Sequence, residues 1–140
     1  MNSEPSALPP VAKGVFTCSS DDLHLPRLIG STCRSCNEYF FPATPYCRKC
    51  LEPTDEADLG SEGVLYSCTV IRTKAPLGLP TPYAVGYVDL ALRSLRIFFL
   101  LDPDAIERLK PGLAVRLAVK PLGFDQQGSP CLRPYFTPKG

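Results

Sequence analysis

A mainly β chain, with an N-terminal four-cysteine metal ribbon ahead of a five-stranded barrel and one short helix between the barrel's third and fourth strands, is what three features of this sequence predict. Cys33-Arg34-Ser35-Cys36 and Cys47-Arg48-Lys49-Cys50 form two C-x2-C pairs with ten residues between them. Beyond residue 60 the apolar residues recur with the period of two that marks strands. The chain also carries 16 prolines in 140 residues, more than twice the average share of about 5%, which leaves little room for long helices.

The cysteine spacing points to one structural Zn2+ per chain, held by Cys33, Cys36, Cys47 and Cys50. Each pair forms a tight knuckle, and two knuckles close a tetrahedral shell at about 2.3 Å per Zn–S bond. A four-sulfur shell leaves no open position for water or substrate, so the metal holds shape and does no chemistry. Redox dithiols and paired disulfides are the alternatives, and they fit this double spacing poorly.

Composition bounds the remaining classes. Hydrophobic residues make up 44% and charged residues 21%, ordinary for a globular protein. No apolar run approaches the roughly 18 residues that span a bilayer, and the N-terminus lacks a signal-peptide pattern, so a cytoplasmic protein without membrane association is expected. Seven cysteines, an odd number, argue for metal over disulfides. Residues 1–62 carry five Lys/Arg against nine Asp/Glu, whereas residues 63–140 carry ten against five. The second half can therefore attract an anion, a nucleic acid or a phosphorylated cofactor, unless the asymmetry is only that of a solvated surface.

Three segments follow. Residues 1–30, with Pro5, Pro9 and Pro10 among Ser and Ala, form an extension whose apolar end, Leu23 to Ile29, packs on the ribbon or a partner. Residues 31–60 are the zinc ribbon, in which Tyr39-Phe40-Phe41-Pro42 supplies aromatic cover for the metal site. Asn37 sits where a knuckle wants positive φ, and Asp55-Glu56-Ala57-Asp58 reads as an acidic link. So small a unit buries too little surface to fold unaided, and metal binding supplies the stability.

Residues 61–140 form the barrel. Its first strand runs from Leu65 to Ile71, with Tyr66, Cys68 and Val70 on the inner face. A proline-rich loop, Thr73 to Pro82, leads to a second strand from Tyr83 to Leu90. The third, Leu95 to Leu101, carries an apolar run that suggests burial on both faces. Asp102 caps the helix, Pro103 suits its first position and Pro111-Gly112 ends it. The fourth strand alternates Leu113, Val115, Leu117 and Val119 inward with Ala114, Arg116, Ala118 and Lys120 outward. Gly123 to Pro130 is a loop, and Cys131 to Phe136 the last strand. Three strands, a helix and two strands is the order of an OB-fold, whose ligand-binding loops join strands 1 to 2 and 4 to 5. A five-stranded meander or sandwich is the plain alternative.

The whole resembles the zinc-ribbon/OB-fold acyl-CoA-associated family, small accessory subunits of thiolase-like enzymes. The resemblance covers Ile29 to Pro138. It is carried by the paired cysteines with Phe41-Pro42 between them, Gly63-Val64-Leu65-Tyr66-Ser67, Pro82-Tyr83-Ala84-Val85-Gly86-Tyr87, Pro111-Gly112-Leu113-Ala114-Val115 and Leu132-Arg133-Pro134. Asn37 and Leu51 stand where glycine is common after each cysteine pair. The resemblance implies a non-catalytic subunit that docks on a thiolase-like partner in a hetero-oligomer. On that resemblance the partner is expected to bind most of the acyl-CoA and to carry out the Claisen or retro-Claisen chemistry.

The residues agree with a subunit that is not an enzyme by itself. His24 is the one histidine and reads as a surface or interface residue; Cys18, Cys68 and Cys131 have no base beside them. No phosphate loop or dinucleotide fingerprint is present. In the loop between strands 1 and 2, Arg72 and Lys74 stand with Leu77 and Leu79, apolar side chains suited to meeting a partner or the CoA channel. They could equally fold back on the barrel. Phe124, with Gln126 and Gln127, lies in the loop between strands 4 and 5. The competing class is single-stranded nucleic-acid binding, in which Tyr83, Tyr87, Phe98 and Phe99 would supply rings for base stacking. Redox signalling through the thiols is a third.

Overall fold

In the computed structural model of the chain, residues 16–17, 26–73, 78–93, 95–125 and 127–139 are described. Four strands form the ribbon: β1 (Phe16–Thr17), β2 (Arg27–Cys33), β3 (Glu38–Phe40) and β4 (Asp55–Gly60). β2 pairs antiparallel with the other three. It begins at Arg27, so the strand that ends on the first zinc ligand starts within the stretch assigned above to the extension. Gly30 is required there, because a Cβ would lie 2.3 Å from the Phe40 carbonyl oxygen and 2.7 Å from Leu59.

The acidic link is corrected to a strand. Asp55–Gly60 pairs with β2 from Leu28 to Thr32, burying Ala57 and Leu59 while Glu56 and Asp58 stay exposed. Its period of two was masked by the charges on the outer face. The carboxylates are paired there: Asp58 with Arg27 at 2.6 Å and Asp55 with Arg34 at 2.5 Å.

The barrel comprises β5 (Glu62–Leu65), β6 (Thr69–Ile71), β7 (Tyr83–Leu90), β8 (Arg96–Leu101), β9 (Ala114–Phe124) and β10 (Pro130–Pro138). Hydrogen-bonded neighbours run β5-β9-β10-β8-β7-β6, and β5 also pairs with β7. Taken as one interrupted strand, β5 and β6 close the five-stranded OB topology, with β10 parallel to β8 and the other pairs antiparallel.

The interruption explains one misplaced residue. Leu65 pairs with Val88 but Thr69 with Val85, so one extra residue is inserted, and the N–H groups of both Tyr66 and Ser67 point at the Tyr87 carbonyl. This is a β-bulge. Gly86 admits the crossing chain, since a Cβ there would lie 2.1 Å from the Ser67 carbonyl oxygen. Cys68 and Val70 pack against the core as expected. Tyr66 is turned outward and is 54% exposed.

Two further expectations change. β8 buries Ile97 and Leu101 but leaves Phe98 57% exposed, so it alternates rather than being buried on both faces. The helix stands where predicted but is a 3-10 segment, Pro103–Arg108, broken at Ala105. Asp102 caps it by accepting from the Asp104 N–H at 2.8 Å, and its other oxygen accepts from the Thr137 hydroxyl at 2.6 Å, tying the segment to β10. Pro111 disfavours helical geometry at Lys110, which stops any longer helix. β9 runs on to Phe124, so the expected loop shrinks to a turn in which Asp125 accepts from the N–H groups of Gln127 and Ser129.

Ribbon and barrel share one core. Phe16, Leu28, Ala57 and Leu59 belong to the same buried cluster as Leu65, Val88, Leu101, Val115 and Phe136. Phe41 packs on Phe99 at 5.7 Å, and Phe99 on Phe136 at 5.2 Å. Arg93 lies 4.6 Å over the Tyr39 ring and donates to the Asp58 carbonyl. Tyr39 and Phe41, expected as cover for the metal, are thus the ribbon's contacts with the barrel.

Burial raises the Asp58 pKa, but hydrogen bonds from Arg27 and Gly60 and the charges of Arg27 and Arg93 outweigh it, leaving the carboxyl below its ordinary range. A carboxylate depressed on folding stabilises the fold above its unfolded pKa and stops doing so as pH falls through the folded value. Thermal melts should show Asp58→Asn less stable than wild type at neutral pH, by no more than about 1 kcal/mol at this exposure. The gap should close below about pH 4. A constant gap at all pH values would assign the difference to packing.

Candidate metal centre and binding loops

Cys33 ends β2, and Cys36 lies in the turn before β3. Cys47 and Cys50 form the second knuckle, which an isolated bridge between Tyr46 and Pro53 closes. In each knuckle a backbone N–H reaches back four residues: Asn37 to the Cys33 carbonyl at 2.8 Å and Leu51 to that of Cys47 at 2.9 Å. That turn requires left-handed backbone at its last residue, and Asn37 has φ 57° and Leu51 φ 66°. Leucine and asparagine therefore adopt the geometry for which glycine is common.

The four Sγ atoms lie within 4.8 Å of one another. Cys33 and Cys50 are 3.5 Å apart, and Cys36 and Cys47 3.9 Å. A tetrahedron of 2.3 Å Zn–S bonds has edges of about 3.8 Å, so the shell fits Zn2+. Cys33 and Cys47 are buried, and the Lys49 N–H points at the Cys47 sulfur at 3.3 Å.

Without a cation the thiols divide one another's protons. Cys36 is pushed up to about 12, first by its hydrogen bond to Cys50. Cys47 is drawn down to about 7, first by the Cys50 backbone N–H. Four thiolates in one shell need the divalent ion, which is structural because every position of the tetrahedron is filled by sulfur.

Leu51 is 74% exposed, so its strained backbone is not offset by burial. Leu51→Gly should stabilise the ribbon by about 1 kcal/mol, because left-handed geometry costs a β-carbon about that much. Chemical denaturation at saturating zinc measures it; a loss of stability would show that the side chain is held by something else.

The other expected site residues are described only in part. Arg72 is exposed and Leu79 half-buried; Lys74, Leu77, Gln126, His24 and Cys18 lie outside the described residues. Phe124 is 45% exposed, and a Cβ on Gly78 would lie 2.5 Å from its ring. The two barrel loops therefore meet at Gly78 and Phe124. Cys131 is buried, with its sulfur 3.9 Å from the Leu122 carbonyl and from the Arg133 guanidinium. Cys68 is half-buried in the core margin. Neither shows an activating base among its described contacts.

Two of the rings named above for base stacking, Tyr87 and Phe98, do stand exposed, and Tyr66, expected inside, joins them. Tyr66 follows β5 directly and its N–H donates to the carbonyl of Tyr87 in β7, which is paired with Phe98 in β8. Tyr87 meets Phe98 edge-on at 5.1 Å, and Arg96 lies 3.4 Å over Tyr66. The signal was present in β7, where Tyr87 falls between the buried positions Gly86 and Val88, and was hidden in β8 by the continuous apolar run.

Two family models match the chain: the ChsH2 rubredoxin-like zinc ribbon domain over residues 20–56 and the ChsH2 C-terminal OB-fold domain over residues 56–120. The chain is 30% identical over 109 residues to benzoylsuccinyl-CoA thiolase subunit BbsA of Geobacter metallireducens, covering 77% of this chain and 72% of that protein. It is 35% identical over 82 residues to the same-named subunit of Thauera aromatica, a match that spans 58% of this chain and 56% of the relative. A solved Ltp2-ChsH2(DUF35) aldolase superimposes with a TM-score of 0.64 at 25% identity, covering 81% of this chain and 86% of that one.

Proposed function

Because the chain belongs to the zinc-ribbon/OB-fold family that the ChsH2 domains define, we propose that it is a non-catalytic accessory subunit that docks on a thiolase-fold partner. There it helps shape or stabilise the partner's acyl-CoA site for Claisen or retro-Claisen chemistry. The observation that carries this reading is the closed four-sulfur shell. When bound, the zinc supplies rigidity, and Cys33, Cys36, Cys47 and Cys50 have no coordination position left for a substrate.

The described residues support a contact role. Neither Cys68 nor Cys131 has a base within its described contacts, and the largest exposed apolar side chains among the described residues lie on strand faces and loop tips. Among the described residues no helix is long and apolar enough to cross a membrane; the proposed setting is the cytoplasm. Arg72, Lys74, Leu77, Leu79 and Phe124 are the proposed contacts to partner or CoA at the loop end of the barrel.

Co-expression with a thiolase-type subunit tests the reading. The complex should cleave an acyl-CoA, benzoylsuccinyl-CoA being the first to try from the relatives' names, and the isolated chain should not. Lys74→Glu and Leu77→Asp should weaken co-purification; if both bring down the partner with unchanged turnover, the loop assignment is wrong. Exposure of Tyr87 and Phe98 favours a second reading, single-stranded nucleic-acid binding. It predicts oligonucleotide affinity that falls steeply with salt.

A further inference from the structure

We infer that the gap between β8 and β10 is a groove to which an extended, uncharged, apolar segment of a protein partner adds as a strand. The inference rests on the accessory-subunit reading and names a second contact with that partner beside the loop residues. Among the described residues β10 pairs with β8 only at Phe136 and Leu101, and no strand lies beside the edge of β8 before Leu101. The Leu90 N–H donates to the Leu95 carbonyl, which marks these two as a hydrogen-bonded pair. By the alternation of an antiparallel ladder, Ile97 and Phe99 direct their backbone groups to β7, and Arg96 and Phe98 direct theirs into the gap. Across the gap, Pro130 and Pro134 of β10 lack N–H groups, so β8 is the edge that can accept a strand.

The side chains around this edge suit an apolar occupant. A cavity of about 260 Å3 opens there, lined by Phe41, Val85, Phe98, Phe99, Leu100 and Pro134, with Arg133 at its margin. It is continuous with the exposed ring pair of Tyr87 and Phe98. Charge decides the occupant's chemistry. Arg96 is bidentate on Asp89 at 2.6 and 3.2 Å, and Arg133 donates to the carbonyls of Leu122 and Phe124 at 3.2 and 2.6 Å. Arg96 beside the groove is neutralised by Asp89, the Arg133 donors are directed at backbone carbonyls, and the six other lining residues carry no charge, so an occupant is held there by apolar contact and strand pairing rather than by ion pairs.

The test uses the full chain co-expressed with a thiolase-type subunit. Phe98→Glu and Tyr87→Glu change exposed side chains, and unaltered melting curves would show that both variants fold; Tyr46→Glu, on the ribbon and equally exposed, is the control. Phe98→Glu should weaken the complex by about 30-fold or more, as loss of a central anchor does, while Tyr46→Glu leaves it unchanged. In the wild-type complex the amides of Arg96 and Phe98 should become protected from hydrogen exchange. Wild-type affinity for Phe98→Glu, or unprotected amides, would overturn the groove and leave the accessory-subunit reading standing. Failure of the wild-type chain to bind any thiolase-type subunit would overturn both. Self-association of the isolated chain that Phe98→Glu abolishes, or salt-dependent binding of oligothymidylate that it abolishes, would assign the groove to a second copy or to nucleic acid and overturn the proposal.

Discussion

Cys47→Ser is expected to remove the bound zinc and to unfold more than the ribbon. Cys47 has no exposed surface, and its sulfur stands 3.9 Å from that of Cys36, so serine leaves a three-sulfur shell around a weaker ligand. Structural zinc contributes about 10–16 kcal/mol in small domains, as much as a whole domain's typical net stability of about 5–15 kcal/mol. The loss passes to the barrel because Leu28, Ala57 and Leu59 lie in one buried cluster with Leu65, Val88 and Phe136. Elemental analysis should fall from one zinc per chain to near none. The near-ultraviolet signal of the barrel tyrosines should be lost together with ribbon structure in a single transition, and a strong chelator should do the same to wild type. A barrel that melts unchanged in the metal-free protein would show two independent units.

Phe136→Ala is expected to cost about 3–5 kcal/mol, the range for truncating a fully buried aromatic. Phe136 has no exposed surface. It packs edge-on against Phe99, and β10 joins β8 at this residue alone. Truncation therefore opens a cavity and loosens the parallel pair that closes the barrel. Urea denaturation should show the midpoint fall with little change in slope. Phe124→Ala, at a ring that is 45% exposed, should cost far less. Equal costs at the two positions would mean that the barrel's closure does not depend on Phe136.

The metal centre was legible because ligand spacing is a covalent property of the chain. Two residues between cysteines are enough to make a knuckle, whatever surrounds it. The strand-helix-strand order of the barrel was legible for a similar reason, since alternation and proline punctuation act over a few residues. The acidic strand β4 was not, because its inward residues, Ala57 and Leu59, are few and small beside the charges. Its pairing with β2 depends on a partner more than 20 residues away. Tyr66 was misplaced because a bulge inserts one residue and reverses the facing of everything before it, and only the partner Gly86 reveals it. The 3-10 geometry of Pro103–Arg108 was hidden because the caps of a short helix and of a pair of turns look alike in sequence.

What this chain determines through its residues alone is therefore local: four thiols spaced for one tetrahedral ion and a proline-broken β pattern. Tertiary structure alone decided that the ribbon's Tyr39 and Phe41 face the barrel, that Tyr87 and Phe98 face solvent, and that among the described residues the edge of β8 before Leu101 is unpaired. Burial, register and strand closure are set by residues far apart in the chain, and a periodicity read along one strand carries no information about which neighbour will cover it.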